Sequence, residues 1–138
     1  MAQQKQKCIL VADDEKNTLE TLEFILEANN FNVIGVENGQ EALLKILAKK
    51  ETINPVDLLI TDVNMPLLTG IDLINFLHQF KIDIPVLIIS NYNHSNIKKQ
   101  IYEVDRVKCL EKPFEGQELL DAVYEIFNNK SVLKKRKV

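Results

Sequence analysis

The sequence has few cysteines, few histidines and no long apolar run. Cysteine occurs twice in 138 residues, at Cys8 and Cys109, and two cysteines on separate predicted strands do not make a disulfide framework. We therefore expect two reduced thiols. The two histidines, His78 and His94, have no partners at the spacing of a metal site. No apolar run approaches the ~20 residues that a transmembrane helix needs.

The first seven residues are polar and lead directly into a predicted strand, without the apolar segment of a secretory signal. We therefore expect a cytoplasmic protein. Residues 1–129 contain all 20 acidic residues and 12 basic ones, a net charge of −8, whereas residues 130–138 carry +5. The negative net charge of residues 1–129 does not indicate that this segment binds nucleic acid directly. The composition changes only after Asn129, which predicts one domain over 1–129 followed by a basic tail at 130–138.

Short apolar runs alternate with segments of helical periodicity along the whole domain. The predicted strands cover 8–12, 32–36, 57–61, 86–90 and 107–110. The predicted helices cover 15–29, 39–49, 70–80, 95–104 and 115–129, and the 95–104 helix has the thinnest apolar stripe. Continuous apolar strands are typical of a parallel sheet covered by helices on both faces, and right-handed crossovers make such a sheet doubly wound. The sequence thus predicts an α/β domain with a doubly wound, five-stranded parallel sheet.

Three of the predicted strands are followed by charged residues. Asp13 and Asp14 follow the first strand, Asp62 follows the third, and Lys112 follows the fifth. The carboxyl ends of parallel strands share one edge, where open α/β sheets bind ligands. Clustered carboxylates raise each other's pKa, and a hard cation such as Mg²⁺, which binds carboxylates, water and phosphate, relieves that conflict. We therefore expect an acidic magnesium pocket with one ammonium group at this edge.

Each of these residues also has a simpler structural interpretation. Asp14 stands between a strand and a helix, where it could be a helix N-cap. Asp13 could be a turn residue, Lys112 a solvated surface lysine, and Ser90 a strand-end hydroxyl satisfied by the backbone. Taken together, however, these interpretations require four coincidences at one edge of the sheet.

Residues 7–128 resemble the receiver domain of two-component response regulators, the CheY-like family. The resemblance rests on Asp13-Asp14-Glu15, on Asp62-Val63-Asn64-Met65-Pro66 with Gly70, on Ser90 and on Lys112-Pro113-Phe114, each at its expected strand end. It implies the flavodoxin-like strand order 2-1-3-4-5. It also implies a signalling switch that phosphorylates and dephosphorylates itself, rather than a metabolic enzyme.

The resemblance assigns the phosphoryl and metal chemistry. It makes Asp62 the phosphoacceptor, which takes a phosphoryl group from a sensor histidine kinase or a phosphotransfer protein. It implies that Mg²⁺, or Mn²⁺, is held by the carboxylates of Asp13, Asp14 and Asp62 and by the backbone carbonyl of Asn64. Carboxylates are established covalent phosphoryl acceptors, and a metal supplies the charge neutralisation that phosphoryl transfer requires.

The same resemblance assigns the switching residues. Lys112 pairs with phosphoryl oxygens, Ser90 donates its hydroxyl to one of them, and the Lys112–Pro113 peptide bond is cis. Phosphorylation then shifts the surface formed by the 95–104 helix, the fifth strand and the 115–129 helix. Receiver domains often form homodimers through this surface.

Two positions depart from the family pattern. Cys109 stands where the family usually has a tyrosine or phenylalanine, three residues before the lysine, and a cysteine is too small to take part in the swing of that aromatic ring. Asn91 follows Ser90 where a small residue is usual, which narrows the access to the phosphoryl site. These departures leave open whether the hydroxyl–aromatic relay of the family operates here.

The output of the switch stays open at this point. In one interpretation the chain is the N-terminal receiver of a longer regulator, and 130–138 starts a linker to an output domain beyond Val138. In a second it is a stand-alone receiver or phosphorelay intermediate. An aspartyl-phosphate phosphatase is disfavoured by Asn64, since the haloacid-dehalogenase group has an acid at that position. A pseudo-receiver without phosphorylation is disfavoured by the complete set of acids and Lys112.

Overall fold

The computed structural model describes residues 5–91 and 106–128. The strands are β1 (Cys8–Ala12), β2 (Asn32–Val36), β3 (Leu58–Asp62), β4 (Val86–Ser90) and β5 (Val107–Glu111). The helices are α1 (Lys16–Ala28), α2 (Gly39–Lys49), α3 (Gly70–Gln79) and α4 (Gly116–Asn128). The predicted 95–104 helix, His94 and the 130–138 segment lie outside the described residues.

The five strands form one parallel sheet in the order β2-β1-β3-β4-β5, which confirms the predicted flavodoxin-like topology. In the register, Ala12 lies opposite Thr61, Asp62 opposite Ile89, and Ser90 opposite Glu111. The strands therefore end almost level with one another. This alignment brings the residues after β1, β3 and β5 to a single edge of the sheet.

Helices cover both faces of the sheet, as predicted. On one face α2 and α3 pack against the strands through Ala42, Ile46, Leu73, Ile74 and Leu77. On the other face α1 and α4 pack through Leu19, Leu22, Leu26, Leu119, Ala122, Val123 and Ile126. The side chains of the three central strands, β1, β3 and β4, are almost fully buried, and each large aliphatic side chain removed from water contributes about 1.5–3 kcal/mol. This packing makes the sheet a rigid support for its carboxyl edge.

Strand β3 is displaced by one residue from the predicted 57–61. Asp57 precedes the strand, and its carboxylate accepts a hydrogen bond of 2.8 Å from the backbone N–H of Cys8. At the other end Asp62 pairs with Ile89 of β4, which extends β3 by one residue. Both differences arise from contacts with neighbouring strands, which a local pattern does not contain.

Side chains of two loop residues cap the N-termini of α2 and α3. Asn38 accepts a hydrogen bond of 2.8 Å from the backbone N–H of Glu41 at the start of α2. Thr69 accepts one of 3.1 Å from Asp72 N at the start of α3. Such caps satisfy backbone donors that have no partner within the helix. The Thr69 cap also fixes where the β3–α3 loop ends.

The two cysteines lie on β1 and β5, which are separated in the sheet by β3 and β4, so they are not joined to each other. Burial raises the pKa of the Cys8 thiol.

Among residues 5–91 and 106–128, no helix is long and apolar enough to cross a membrane.

Candidate functional site

The turn after β1 holds Asp13 inside the protein, at 1% exposure. The backbone N–H of Asp13 donates to the carbonyl of Val36 at 3.1 Å, which ties the turn to β2. Its Oδ1 accepts a hydrogen bond of 2.8 Å from Glu15 N. Asp13 is therefore a turn acid whose carboxylate also lies at the sheet edge. Asp14 is exposed and does not cap α1, because Glu15 occupies the N-cap position without a side-chain cap bond.

Asp62 is the last residue of β3, and its side chain is 16% exposed. Its Oδ1 accepts a hydrogen bond of 2.7 Å from the backbone N–H of Val63. The carbonyl of Val63 in turn accepts one of 2.8 Å from Gly70 N. A Cβ atom on Gly70 would lie 2.1 Å from the Asp62 carbonyl oxygen, so only glycine allows α3 to approach the end of β3 this closely.

Lys112 reaches the acids from the end of β5. Its backbone N–H donates to the carbonyl of Ser90 at 2.9 Å, and the Lys112–Pro113 bond is cis, as the resemblance implied. Its Nζ lies 3.7 Å from Oδ2 of Asp13 and 3.7 Å from Oδ2 of Asp62. These distances exceed those of a hydrogen bond. The ammonium therefore acts on both acids as a nearby positive charge.

Asp13, Asp14 and Asp62 form a carboxylate cluster. One oxygen from each lies within 4.8 Å of the others. A donor set made only of oxygen atoms fits Mg²⁺ or Mn²⁺ rather than a softer metal. The predicted acidic pocket is thus present, and its chemistry suits the predicted cation.

The electrostatics of the pocket favour added positive charge. Burial raises the pKa of the Asp13 carboxyl, while the Glu15 N–H and the Lys112 ammonium act in the opposite direction. The charges of Asp62 and Asp14 raise the same pKa further. One lysine therefore does not balance the buried acid and its neighbours, and a divalent cation would stabilise the ionised cluster.

The other predicted site residues lie around this cluster. Ser90 is the buried last residue of β4, and its carbonyl anchors Lys112. Asn64 is exposed in the β3–α3 loop, two residues after Asp62, and Asn91 is exposed beside Ser90. Their phosphoryl, metal and access roles remain predictions.

A family model described as the response regulator receiver domain matches residues 9–124. The chain belongs to this family. Receiver domains are signalling modules of two-component systems, and they bind Mg²⁺ at an acidic pocket of the kind formed here by three aspartates.

Curated relatives extend beyond the receiver domain. The alkaline phosphatase synthesis transcriptional regulatory protein PhoP of Bacillus subtilis is 32% identical over 126 residues, which cover 91% of this chain and 50% of PhoP. The cell cycle transcriptional regulator CtrA of Caulobacter vibrioides is 28% identical over 118 residues, 86% of this chain and 49% of CtrA. The chain thus spans about half the length of these relatives.

Solved receiver domains share the fold over nearly their whole length. The receiver domain of the Francisella response regulator 1452 has a TM-score of 0.75 and 28% identity, covering 91% of this chain and 99% of that one. A response regulator receiver domain protein from Clostridium thermocellum has a TM-score of 0.72 and 27% identity, covering 92% and 98%. The family-model match over residues 9–124 includes the ends of β1, β3, β4 and β5.

Sequence reasoning missed the backbone contacts that shape the β3–α3 loop of this receiver domain. Thr61 donates a hydrogen bond to the Asp62 carbonyl, and no motif drew attention to it. Leu67 has φ 71°, and Leu68 N donates to the Pro66 carbonyl across it at 2.8 Å. Leucine rarely adopts positive φ, so the sequence carried no signal for this tight turn.

Proposed function

We propose that this receiver domain is a phosphorylation switch in which Asp62 takes a phosphoryl group from a sensor histidine kinase or a phosphotransfer protein. The observation that carries the proposal is the placement of Asp62 beside the Lys112 ammonium and two further acids at one sheet edge. In the transfer, an Asp62 oxygen forms a bond to phosphorus as the bond between phosphorus and the donor's histidine nitrogen breaks. The product is an acyl phosphate.

The carboxylates of Asp13, Asp14 and Asp62 and the backbone carbonyl of Asn64 would hold Mg²⁺ or Mn²⁺. When bound, the cation would neutralise the charge on the phosphoryl oxygens during transfer. The protein positions the two carboxylates. The Glu15 N–H holds one oxygen of Asp13, and the Val63 N–H holds one oxygen of Asp62. Positioning and charge neutralisation are most of what phosphoryl transfer requires.

Lys112 and Ser90 would bind the phosphoryl group once it is attached to Asp62. Phosphorylation replaces the single negative charge of the Asp62 carboxylate with an acyl phosphate that carries about −1.5 to −2 charge, and the Lys112 ammonium is already within 3.7 Å of the acceptor. The Ser90 hydroxyl would donate to a phosphoryl oxygen. Through these contacts the surface of the predicted 95–104 helix, β5 and α4 would shift, with homodimerisation through that surface as one consequence.

We further propose that residues 1–129 are the N-terminal receiver of a longer response regulator, with 130–138 starting a linker to an output domain. Support comes from PhoP and CtrA, which are about twice as long as this chain and are named as transcriptional regulators. The reading frame beyond Val138 tests this point: a continuing frame favours an output domain, and a stop codon favours the stand-alone receiver.

Intact-mass measurement with acetyl phosphate tests the central proposal. With Mg²⁺ we expect one phosphoryl group per chain, and with a chelator we expect none. An unchanged mass with Mg²⁺, or equal labelling in the chelator, would refute the acidic-pocket mechanism. Light scattering on the same samples measures any dimer that forms on labelling. Sustained hydrolysis of small phosphoesters would instead indicate a phosphatase.

A further inference from the structure

Thr61 precedes the proposed phosphoacceptor and is buried at 1% exposure. We propose that Thr61 is a positioning residue for Asp62, whose hydroxyl fixes the peptide group that holds one oxygen of the Asp62 carboxylate. The inference builds on the proposed phosphoryl transfer to Asp62, but its structural part can be tested without that reaction.

The argument begins with one peptide group, the one between Asp62 and Val63. Thr61 Oγ1 donates a hydrogen bond of 2.9 Å to its carbonyl oxygen. Its N–H, that of Val63, donates one of 2.7 Å to Asp62 Oδ1. Because a peptide group is planar and rigid, rotating its carbonyl away from Thr61 also rotates its N–H away from Oδ1. The threonine hydroxyl and the carboxylate oxygen are thus linked through a single rigid unit.

The surroundings of the hydroxyl leave it little freedom. Its second acceptor, Met65 Sδ at 3.9 Å, is a thioether and therefore much weaker than the Asp62 carbonyl at 2.9 Å. Oγ1 also lies 3.2 Å from the position that a Cβ on Gly70 would occupy. Met65 belongs to the apolar core on this face and Gly70 is buried at the start of α3. In such surroundings an unsatisfied carbonyl costs about 1–3 kcal/mol. Without the hydroxyl, we expect the Asp62 carbonyl to turn in search of another donor.

The consequence falls on the acceptor side chain. With Oδ1 held by Val63 N, Asp62 directs Oδ2 toward Lys112, at 3.7 Å. If the peptide rotates, the carboxylate loses this fixed orientation, and transfer slows because the reacting oxygen is no longer held in line. Donor binding, which does not involve Thr61, should change little.

Thr61→Val removes the hydroxyl and keeps the side-chain shape, and Thr61→Ser keeps the hydroxyl. A matched control is Thr21→Val, because Thr21 Oγ1 also donates to a backbone carbonyl, that of Asn17, at 2.9 Å on the exposed face of α1. If the valine variant does not fold, Thr61→Ala serves as the hydroxyl-free variant.

The first measurement is the amide spectrum of the unphosphorylated protein. We expect the Val63 N–H resonance to move upfield in Thr61→Val, since its short bond to a carboxylate weakens, and to stay in place in Thr61→Ser and Thr21→Val. An unmoved Val63 resonance in the hydroxyl-free variant would overturn the inference, whatever the fate of the proposed phosphorylation.

The second measurement is the labelling rate as a function of acetyl phosphate concentration. We expect the rate at saturating donor to fall about tenfold in Thr61→Val, with little change in the half-saturating concentration, and Thr61→Ser to restore it. Equal rates in all variants, or a serine variant as slow as the valine one, would overturn the inference. Failure of the wild-type protein to label would count against the proposed function instead.

Discussion

Lys112 Nζ lies 3.7 Å from Oδ2 of Asp62, close enough for strong attraction but too far for a hydrogen bond. The same ammonium lies equally far from Oδ2 of Asp13. Each acid meanwhile uses its Oδ1 to accept a backbone N–H of its own turn. The two turns therefore orient the carboxylates independently, and Lys112 supplies charge between them.

Asp62→Asn should abolish labelling by acetyl phosphate, because the amide replaces the nucleophilic carboxylate. The fold should persist, since the asparagine Oδ1 can still accept the Val63 N–H. Intact mass and circular dichroism measure the two effects. Asp121→Asn, on the exposed face of α4, is the matched control and should label normally. Label that persists on another residue of the Asp62 variant would remove Asp62 from the acceptor role.

Asp13→Asn should raise the thermal stability of the magnesium-free protein and lower its affinity for Mg²⁺. Burial raises the pKa of Asp13, so its ionised form costs stability at neutral pH, and in a chelator the neutral variant should unfold at a higher temperature. This gain should vanish as the pH falls below about 3.9, where wild-type Asp13 is itself protonated. Affinity for Mg²⁺ should fall by at least about tenfold, since one ligand is lost.

Thermal unfolding and titration calorimetry check the Asp13 prediction, again with Asp121→Asn as the control. A variant that is less stable than wild type in the chelator would show that the Asp13 charge is well compensated within the pocket. Unchanged magnesium affinity would exclude Asp13 as a ligand.

Gly70→Ala should destabilise the protein by about 2 kcal/mol or more, because its Cβ would lie 2.1 Å from the Asp62 carbonyl oxygen. Gly116→Ala is the matched control at the first residue of α4, where the nearest atom to the added Cβ is 3.5 Å away. That change should be neutral or stabilising by up to about 1 kcal/mol. Urea unfolding measures both, and equal effects would contradict the close approach at Gly70.

Lys112→Ala should impair the response to phosphorylation more than folding. The side chain is 19% exposed and makes no close hydrogen bond to Asp13 or Asp62, which are also largely buried. Its removal leaves these acids without a nearby positive charge and should cost up to about 3 kcal/mol in a chelator, which is less than the total stability of a typical domain. The change in the amide spectrum on labelling should be much smaller, since no ammonium meets the new phosphoryl charge. Lys45→Ala, at an exposed position of α2 and outside the surface of the predicted 95–104 helix, β5 and α4, should respond like wild type. Outright unfolding of Lys112→Ala would indicate a structural role.

Much of the architecture could be predicted because its signals are local. Leu58, Leu59 and Ile60 are apolar on successive positions, which predicts a strand buried on both faces, and Asp62 follows one residue later. The same pattern at β1 placed Asp13 at a strand end, and the less purely apolar run at 107–111 placed Lys112 at another. The strand order came from the family resemblance, since periodicity alone does not determine which strands are neighbours.

The details of the loops could not be predicted, because they depend on contacts between elements distant in sequence. The Asp57 carboxylate accepts a hydrogen bond from the backbone of Cys8 in β1. The Asp62 carbonyl leaves no room for a Cβ atom on Gly70, eight residues later. Asp14 illustrates the limit most directly: its position suggested an N-cap, whereas the helix begins at Lys16 with Glu15 as its cap.

The sequence by itself determined where strands and helices lie and which charged residues follow the strands, because apolar periodicity and its interruption are properties of short segments. Only the tertiary structure decided that Thr61, Val63 and Gly70 hold the backbone at Asp62, and that Lys112 stands equidistant from two acids. Those relationships depend on how strand ends align and how closely α3 approaches β3, and both are set by packing across the whole domain.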